Sequence, residues 1–278
     1  MRHILILPLT TLTLLLAGAT VDSGHAFQTK APYALLIDYN TGKVLFEKNA
    51  DTPMAPASTT KILTAELIFR EIAEGRLGLD DTMAISPNAA REGDAESGGS
   101  SMFAQVNTKV RVEDLLRGLL VLSGNDAAIA LAEGVAGTEG AFAALMTKRA
   151  RELGMIRSTF TNPWGRGDPG QKVTARDMAL LAAHVIRSYP QFYKYFGERE
   201  FTWNNIRQQN RNPLLGMNIG ADGLKTGHLA KSGFGLVGSA VQNGQRLILV
   251  LNGTKTERER ASEASKLIEW GFRMPASP

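Results

Sequence analysis

Ala57-Ser58-Thr59-Thr60-Lys61-Ile62-Leu63-Thr64 follows Pro56 and leads into a run of good helix formers. That order predicts a loop turning into a helix at Ser58, with Lys61 one turn further on. Residues three apart share a helix face, so the two side chains are expected to point the same way. The lysine is awkward there. A helix N-terminus carries partial positive charge and favours anions, whereas Lys61 brings an ammonium to that end beside apolar Ile62 and Leu63. Conflicts of this kind concentrate at functional positions. Taken alone, the pattern reads as a serine N-cap followed by a solvated lysine, since S-x-x-K occurs by chance in most long chains. The rest of the chain decides between the two.

Outward from this stretch, residues 34–38 and 43–47 are apolar-rich runs flanking Tyr39-Asn40-Thr41-Gly42, which predicts a strand hairpin. Residues 84–101 are rich in Gly, Ser and charge and predict a long exposed loop of the kind that rims functional sites. Residues 112–122 form a helix with a strong apolar face, halting at Ser123-Gly124-Asn125, and 126–133 begin another. A third covers 138–153 with Gly154 as its C-cap, and Thr174 caps a fourth. The period then changes. Residues 235–241 and 245–251 are β-branched-rich runs joined through Asn243-Gly244, a strong hairpin signal, and 262–272 form a closing amphipathic helix. Strands at both ends of the chain and helices between them predict an α/β (α+β) fold: a mainly antiparallel sheet flanked by helices, with an inserted all-helical lobe.

Met1-Arg2-His3, the apolar run 4–16 and Gly24-His25-Ala26 read as a secretory signal cleaved before Phe27; the run is short for a membrane span and Pro8 interrupts it. The expected organisation is a signal peptide at 1–26 and one catalytic domain at 27–278, exported to the periplasm or the outer face of the cell envelope. The chain has no cysteine, which excludes disulfides, thiolate catalysis and cysteine-ligated metals. Outside the signal only His184 and His228 remain, and His184, within the helical run 178–186, reads as a packing residue rather than a ligand. A net charge of +4 with basic and acidic residues interspersed gives no basic stripe, so nucleic acid is not an expected partner.

Two further stretches give Ser58 and Lys61 a context: Ser123-Gly124-Asn125 at a helix break, and Lys225-Thr226-Gly227-His228 ahead of the C-terminal hairpin. Separated by about 65 and about 100 residues, the three match the S-x-x-K, S-x-N, K-T-G set of penicillin-binding proteins and class A β-lactamases. The chain resembles the low-molecular-mass penicillin-binding proteins, the serine-type D-alanyl-D-alanine carboxypeptidases. The resemblance also covers 34–44, 122–127, Leu153-Gly154-Met155, 175–179, Phe201-Thr202-Trp203-Asn204, Asn210-Arg211-Asn212 and Trp270-Gly271-Phe272-Arg273. It implies the penicillin-binding-protein/β-lactamase-like transpeptidase fold.

The chemistry suits these residues. A serine hydroxyl is a weak nucleophile and needs a neighbouring base; neutral Lys61 serves if burial and cationic Lys225 depress its pKa. By resemblance, Ser58 attacks the carbonyl of the penultimate D-alanine, and the backbone N–H groups of Ser58 and His228 form the oxyanion hole. Ser123 relays a proton to the leaving D-alanine, and Asn125 orients the substrate backbone. Lys225 and Thr226 hold the terminal carboxylate, Gly227 allows close approach, and Arg211 and Arg260 support the carboxylate site. Neither metal nor organic cofactor is implied. The expected partners are peptidoglycan stem peptides and, as covalent inhibitors, β-lactams.

The rival readings share most of these motifs. A class A β-lactamase needs a deacylating glutamate, and no Glu-x-x-Leu-Asn lies between Asn125 and Lys225. A D,D-endopeptidase that cuts cross-links would use the same residues, as would a β-lactam sensor or wall-binding module that turns nothing over. The membrane-associated carboxypeptidases of the family carry a further β-rich domain and a C-terminal anchor. Neither is expected here before Pro278, so any membrane association is expected to be peripheral. Asn162-Pro163-Trp164-Gly165-Arg166-Gly167 departs from the family, which commonly places a small hydrophobic residue after that glycine.

Overall fold

The computed structural model describes residues 27–92 and 99–274. The signal peptide expected at 1–26 lies outside the described residues. The chain opens with β1 (Tyr33–Asp38) and β2 (Val44–Lys48), passes through a 3-10 turn (Ala57–Thr60) into α1 (Lys61–Ala73), then through β3 (Thr82–Ala84), α2 (Pro87–Glu92) and β4 (Lys109–Arg111). Helices follow before the chain returns to strand, beginning with α3 (Val112–Leu120), α4 (Asn125–Ala136), α5 (Glu139–Glu152) and α6 (Ala175–Ser188). After α7 (Pro190–Gly197), a short hairpin of β5 (Glu200–Trp203) and β6 (Ile206–Gln209) precedes β7 (Ala221–Leu229), β8 (Gly233–Gln242), β9 (Gln245–Thr254) and α8 (Glu257–Arg273).

The main sheet is antiparallel in the order β2-β1-β9-β8-β7, so the first and last strands of the chain meet at its centre. β9 shows why. Its alternate residues Leu247, Leu249 and Leu251 pack with Ala264, Leu267 and Ile268 of α8. Ile248 and Val250 face the opposite way, into the core shared with α1, α3, α4 and α6. A strand apolar on both faces needs cover on both, which fixes it in the interior of the sheet. β7 is left at an edge.

The predicted hairpins and the helical middle appear where the periodicity placed them, and Thr174 caps α6 by accepting a hydrogen bond from the Asp177 N–H at 3.1 Å. Two expectations need correction. The exposed loop of 84–101 contains α2, whose start is capped by Ser86 Oγ accepting from the Ala89 N–H; its centre, 93–98, lies outside the described residues. The last helix begins at Glu257 rather than 262, because Thr256 Oγ1 accepts from the Glu259 N–H while the Glu259 carboxylate accepts from the Lys255 N–H. Charged Glu257-Arg258-Glu259-Arg260 shows no apolar period, so the Thr256 cap and the Glu259 carboxylate, and not hydrophobicity, start this helix. Arg260 consequently sits within the first turns of α8 instead of ahead of it.

Candidate active site

The 3-10 turn presents Ser58 at the mouth of α1 and places Lys61 as the first residue of that helix, fully buried. Ala57 holds a positive φ of 49° and turns the chain sharply into Ser58. Lys61 Nζ lies 3.1 Å from Ser58 Oγ, 2.8 Å from Asn125 Oδ1 and 2.8 Å from the carbonyl oxygen of Trp164. Burial, then the nearby charge of Lys225, hold the Lys61 amine well below the ordinary lysine pKa, against a smaller opposing pull from Asp126. The awkward lysine is thus an inward-facing one.

Ser123, with φ 62°, comes from the turn between α3 and α4, and Asn125 is the first residue of α4. Asp126, next in line, organises this turn: its carboxylate accepts from Ser101 Oγ and from the backbone N–H groups of Met102, Ala104 and Ala127 at 2.9–3.1 Å. The Asn125 N–H donates to the Ser100 carbonyl at 2.7 Å. Sequence reading gave Asn125 a substrate-orienting role but took Asp126 only as part of a helix start, because its partners Ser101, Met102 and Ala104 lie 22 to 25 residues away.

Ser58, Ser123, Asn125, Arg211, Thr226, Gly227, His228 and Arg260 line one cleft of about 260 Å³, together with Gly99, Ser100, Trp164, Gly165, Leu229 and Glu257. Lys61 and Lys225 lie buried beside it rather than on its wall. Lys225-Thr226-Gly227 is a piece of β7 rather than a turn. A Cβ on Gly227 would stand 2.9 Å from the Pro56 carbonyl oxygen and 3.1 Å from the Ser58 nitrogen, so a bare backbone is needed for β7 to reach the serine. Lys225 Nζ donates to the Thr226 carbonyl at 3.1 Å. Burial first, then Arg211 and Arg260, push the Lys225 pKa down to about 7. Arg260 is buried, with its Nε unpartnered and its guanidinium over the Phe234 ring, which in turn stacks on His228 with centroids 3.9 Å apart.

The loop at 162–166 closes the other side. Asn162 Oδ1 accepts from the N–H groups of Gly165 and Arg166, and Thr64 Oγ1 donates to the Pro163 carbonyl. Gly165 has φ 93°, and a Cβ there would fall 2.0 Å from the Ala57 carbonyl oxygen. The sequence marked this stretch as unusual but held no sign that the Trp164 carbonyl would bind Lys61. Glu257 and Phe234 carried no signal either. Among the described residues no cluster of three or more His, Cys, Asp or Glu could hold a metal ion.

A serine at the cleft wall backed by a buried lysine at the foot of a helix, faced by a Ser-Gly-Asn turn and the Lys-Thr-Gly edge of an antiparallel sheet, defines the class of the penicillin-binding-protein fold. The chain belongs to the D-alanyl-D-alanine carboxypeptidase family, whose model matches residues 20–256. It is 45% identical over 241 residues to D-alanyl-D-alanine carboxypeptidase DacC of Escherichia coli (strain K12), covering 86% of this chain and 60% of that one. The crystal structure of penicillin binding protein 5 from Haemophilus influenzae superposes with a TM-score of 0.85 at 42% identity, over 88% of this chain and 71% of that one. Penicillin-binding protein D2 from Listeria monocytogenes in its ampicillin-bound form gives a TM-score of 0.76 at 28% identity, over 89% and 99% of the two chains. This chain spans roughly three fifths of the length of the curated carboxypeptidases of highest identity.

Proposed function

We propose that the protein is a serine-type D-Ala-D-Ala carboxypeptidase that removes the terminal D-alanine from peptidoglycan stem pentapeptides through an acyl-enzyme on Ser58, and that β-lactams trap it there. The hydrogen bonding of Lys61 is the observation that carries this reading. Two of its neighbours, Asn125 Oδ1 and the Trp164 carbonyl oxygen, can only accept. A neutral amine has two N–H donors and one lone pair. With both donors spent on those oxygens, the lone pair is left for the Ser58 hydroxyl 3.1 Å away.

In the proposed reaction Ser58 Oγ attacks the penultimate D-alanine carbonyl as its proton passes to Lys61. The backbone N–H groups of Ser58 and His228 take the developing oxyanion, a stabilisation worth about 3 kcal/mol for one preorganised donor. Lys61 returns that proton through Ser123 to the D-alanine nitrogen as the C–N bond breaks, which leaves Lys61 neutral and Ser123 protonated for the second half of the reaction. Thr226, Arg211 and Arg260, with Lys225 behind them, hold the terminal carboxylate. Water, deprotonated by Lys61, then frees Ser58. Such a substrate lies outside the cytoplasmic membrane, and the proposed export of the chain agrees with it.

Purified protein is expected to release D-alanine from a pentapeptide ending in D-Ala-D-Ala and to be labelled covalently by a penicillin, with both lost in Ser58→Ala. Labelling that survives in Ser58→Ala would remove Ser58 as nucleophile. Product masses from uncross-linked pentapeptide and cross-linked muropeptide separate a carboxypeptidase from an endopeptidase.

A further inference from the structure

β7 is hydrogen-bonded to β8 on one side only, and the residues Thr226 to Leu229 line the cleft along its other edge. An extended peptide is recognised by such an edge through main-chain hydrogen bonds. The order of residues on β7 sets its direction. Lys225 and Thr226 belong to the carboxylate site, Gly227 stands against Ser58, and Leu229 lies two residues beyond, roughly 7 Å along the strand. A peptide with its C-terminus at Thr226 therefore carries the residue preceding D-Ala-D-Ala towards Leu229.

At Leu229 the cleft meets the loop that departs from the family. The Leu229 δ-carbons lie 3.8 Å from the position a Cβ on Gly167 would occupy. Next to Gly167, Arg166 is exposed, and its guanidinium sits 5.7 Å from the centre of the Trp164 ring. The loop holds it there. The Arg166 N–H donates to Asn162 Oδ1 at 2.9 Å, and its carbonyl accepts from Asn162 Nδ2 at 3.2 Å. The Trp164 indole N–H donates to Glu139 Oε2 at 3.0 Å, and Glu139 Oε1 accepts from Asn88 Nδ2 at 2.8 Å. Among the described residues no carboxylate pairs with the Arg166 guanidinium.

We propose that Arg166, stacked on Trp164 at the Leu229 end of β7, is a specificity residue that binds an anionic group on the side chain of the stem residue preceding D-Ala-D-Ala. A guanidinium whose backbone is pinned and whose carbon lies over an indole ring keeps its N–H groups for a carboxylate. A stem residue at that place whose side chain ends in a free carboxylate offers Arg166 such a group, whereas one that ends in an amine or an amide does not. This rests on the carboxypeptidase reading of the cleft.

The test compares three pentapeptides that differ only at this residue: meso-diaminopimelate with a free side-chain carboxylate, the same residue with that carboxylate amidated, and L-lysine. Wild-type protein is expected to favour the free carboxylate about tenfold in kcat/KM over the other two, through KM. In Arg166→Leu the ratio is expected to collapse to about one, and Arg166→Lys to keep part of it. Equal use of all three by wild-type protein, or an unchanged preference in Arg166→Leu, overturns the proposal. Penicillin labelling of wild-type protein reads the parent function separately, since a penicillin carries no stem side chain: labelling without stem preference rejects Arg166 alone, and failure of both labelling and D-alanine release rejects the two together.

Discussion

Lys61 leaves water completely on folding and shares its surroundings with Lys225, so a second positive charge is disfavoured at both. Burial and Lys225 lower the Lys61 pKa, while burial, Arg211 and Arg260 bring Lys225 to about 7. The proposed base needs Lys61 neutral; the carboxylate site works best with Lys225 charged. Penicillin acylation, measured as a second-order rate constant against pH, is therefore expected to rise as Lys61 loses its proton and to fall as Lys225 loses its proton near pH 7. Arg211→Gln removes a cation that depresses Lys225, so its falling limb is expected to move to higher pH as affinity weakens; a limb that stays put excludes Lys225 as the group responsible. Lys61→Ala is expected to slow acylation by at least about a thousandfold while the fold persists by circular dichroism. The Gly165→Ala variant meets both a positive φ and the Ala57 carbonyl. A lowered melting temperature together with slower acylation is expected, because the Ser58 turn has to shift to admit the methyl group.

Among the elements, the turn before α4 depends on Asp126 more than on its own length. Asp126→Ala would leave the Ser101 hydroxyl and the Met102 and Ala104 N–H groups buried without an acceptor. A loss of about 3 kcal/mol is expected from urea unfolding, together with slower acylation as Ser123 and Asn125 lose their fixed seat. Elements of this size were legible where chemistry is local. Asn243-Gly244 marked the β8–β9 hairpin, with φ of 48° and 79° as such a turn requires. Thr174 announced α6. Missed were α2, the first turn of α8 and the β5–β6 hairpin, whose Asn204-Asn205 turn also has positive φ at both residues. These are short or charged segments that lack an apolar period, and caps or turn chemistry alone define them.

Across the whole molecule, α1, α5 and α6 are joined by a buried ionic network that the sequence did not suggest. Glu66, fully buried on α1, accepts from Arg149 Nη2 at 2.7 Å and from Arg149 Nε at 3.0 Å, and its Oε1 lies 3.0 Å from His184 Nε2. His184, read from sequence as a packing residue, is a polar member of this network. Burial works to raise the Glu66 pKa, but hydrogen bonds from His184 and Arg149 outweigh it and the net shift is downward. The folded state therefore binds this proton less readily than the unfolded chain. The stabilisation is present above the unfolded value of 4.5 and is lost as pH falls through the lower folded value. Glu66→Ala is expected to cost about 3 kcal/mol at pH 7, leaving Arg149 and His184 without their acceptor. Urea midpoints between pH 3 and 7 should depend less steeply on pH in that variant; an unchanged slope would show that the acid sensitivity arises elsewhere.

The sequence by itself determined the order of sheet and helix, the β1–β2 and β8–β9 hairpins, the Thr174 cap and the three motifs that carry the proposed chemistry. Each of these rests on residues that are neighbours in the chain, or on a pattern read over a single element. Tertiary structure alone decided the state of Lys61. Its acceptors lie 64 and 103 residues away and its desolvation is made by the whole core, so whether Ser58 and Lys61 are a cap with a solvated lysine or a nucleophile with its base depended on how the distant parts of the chain closed around them.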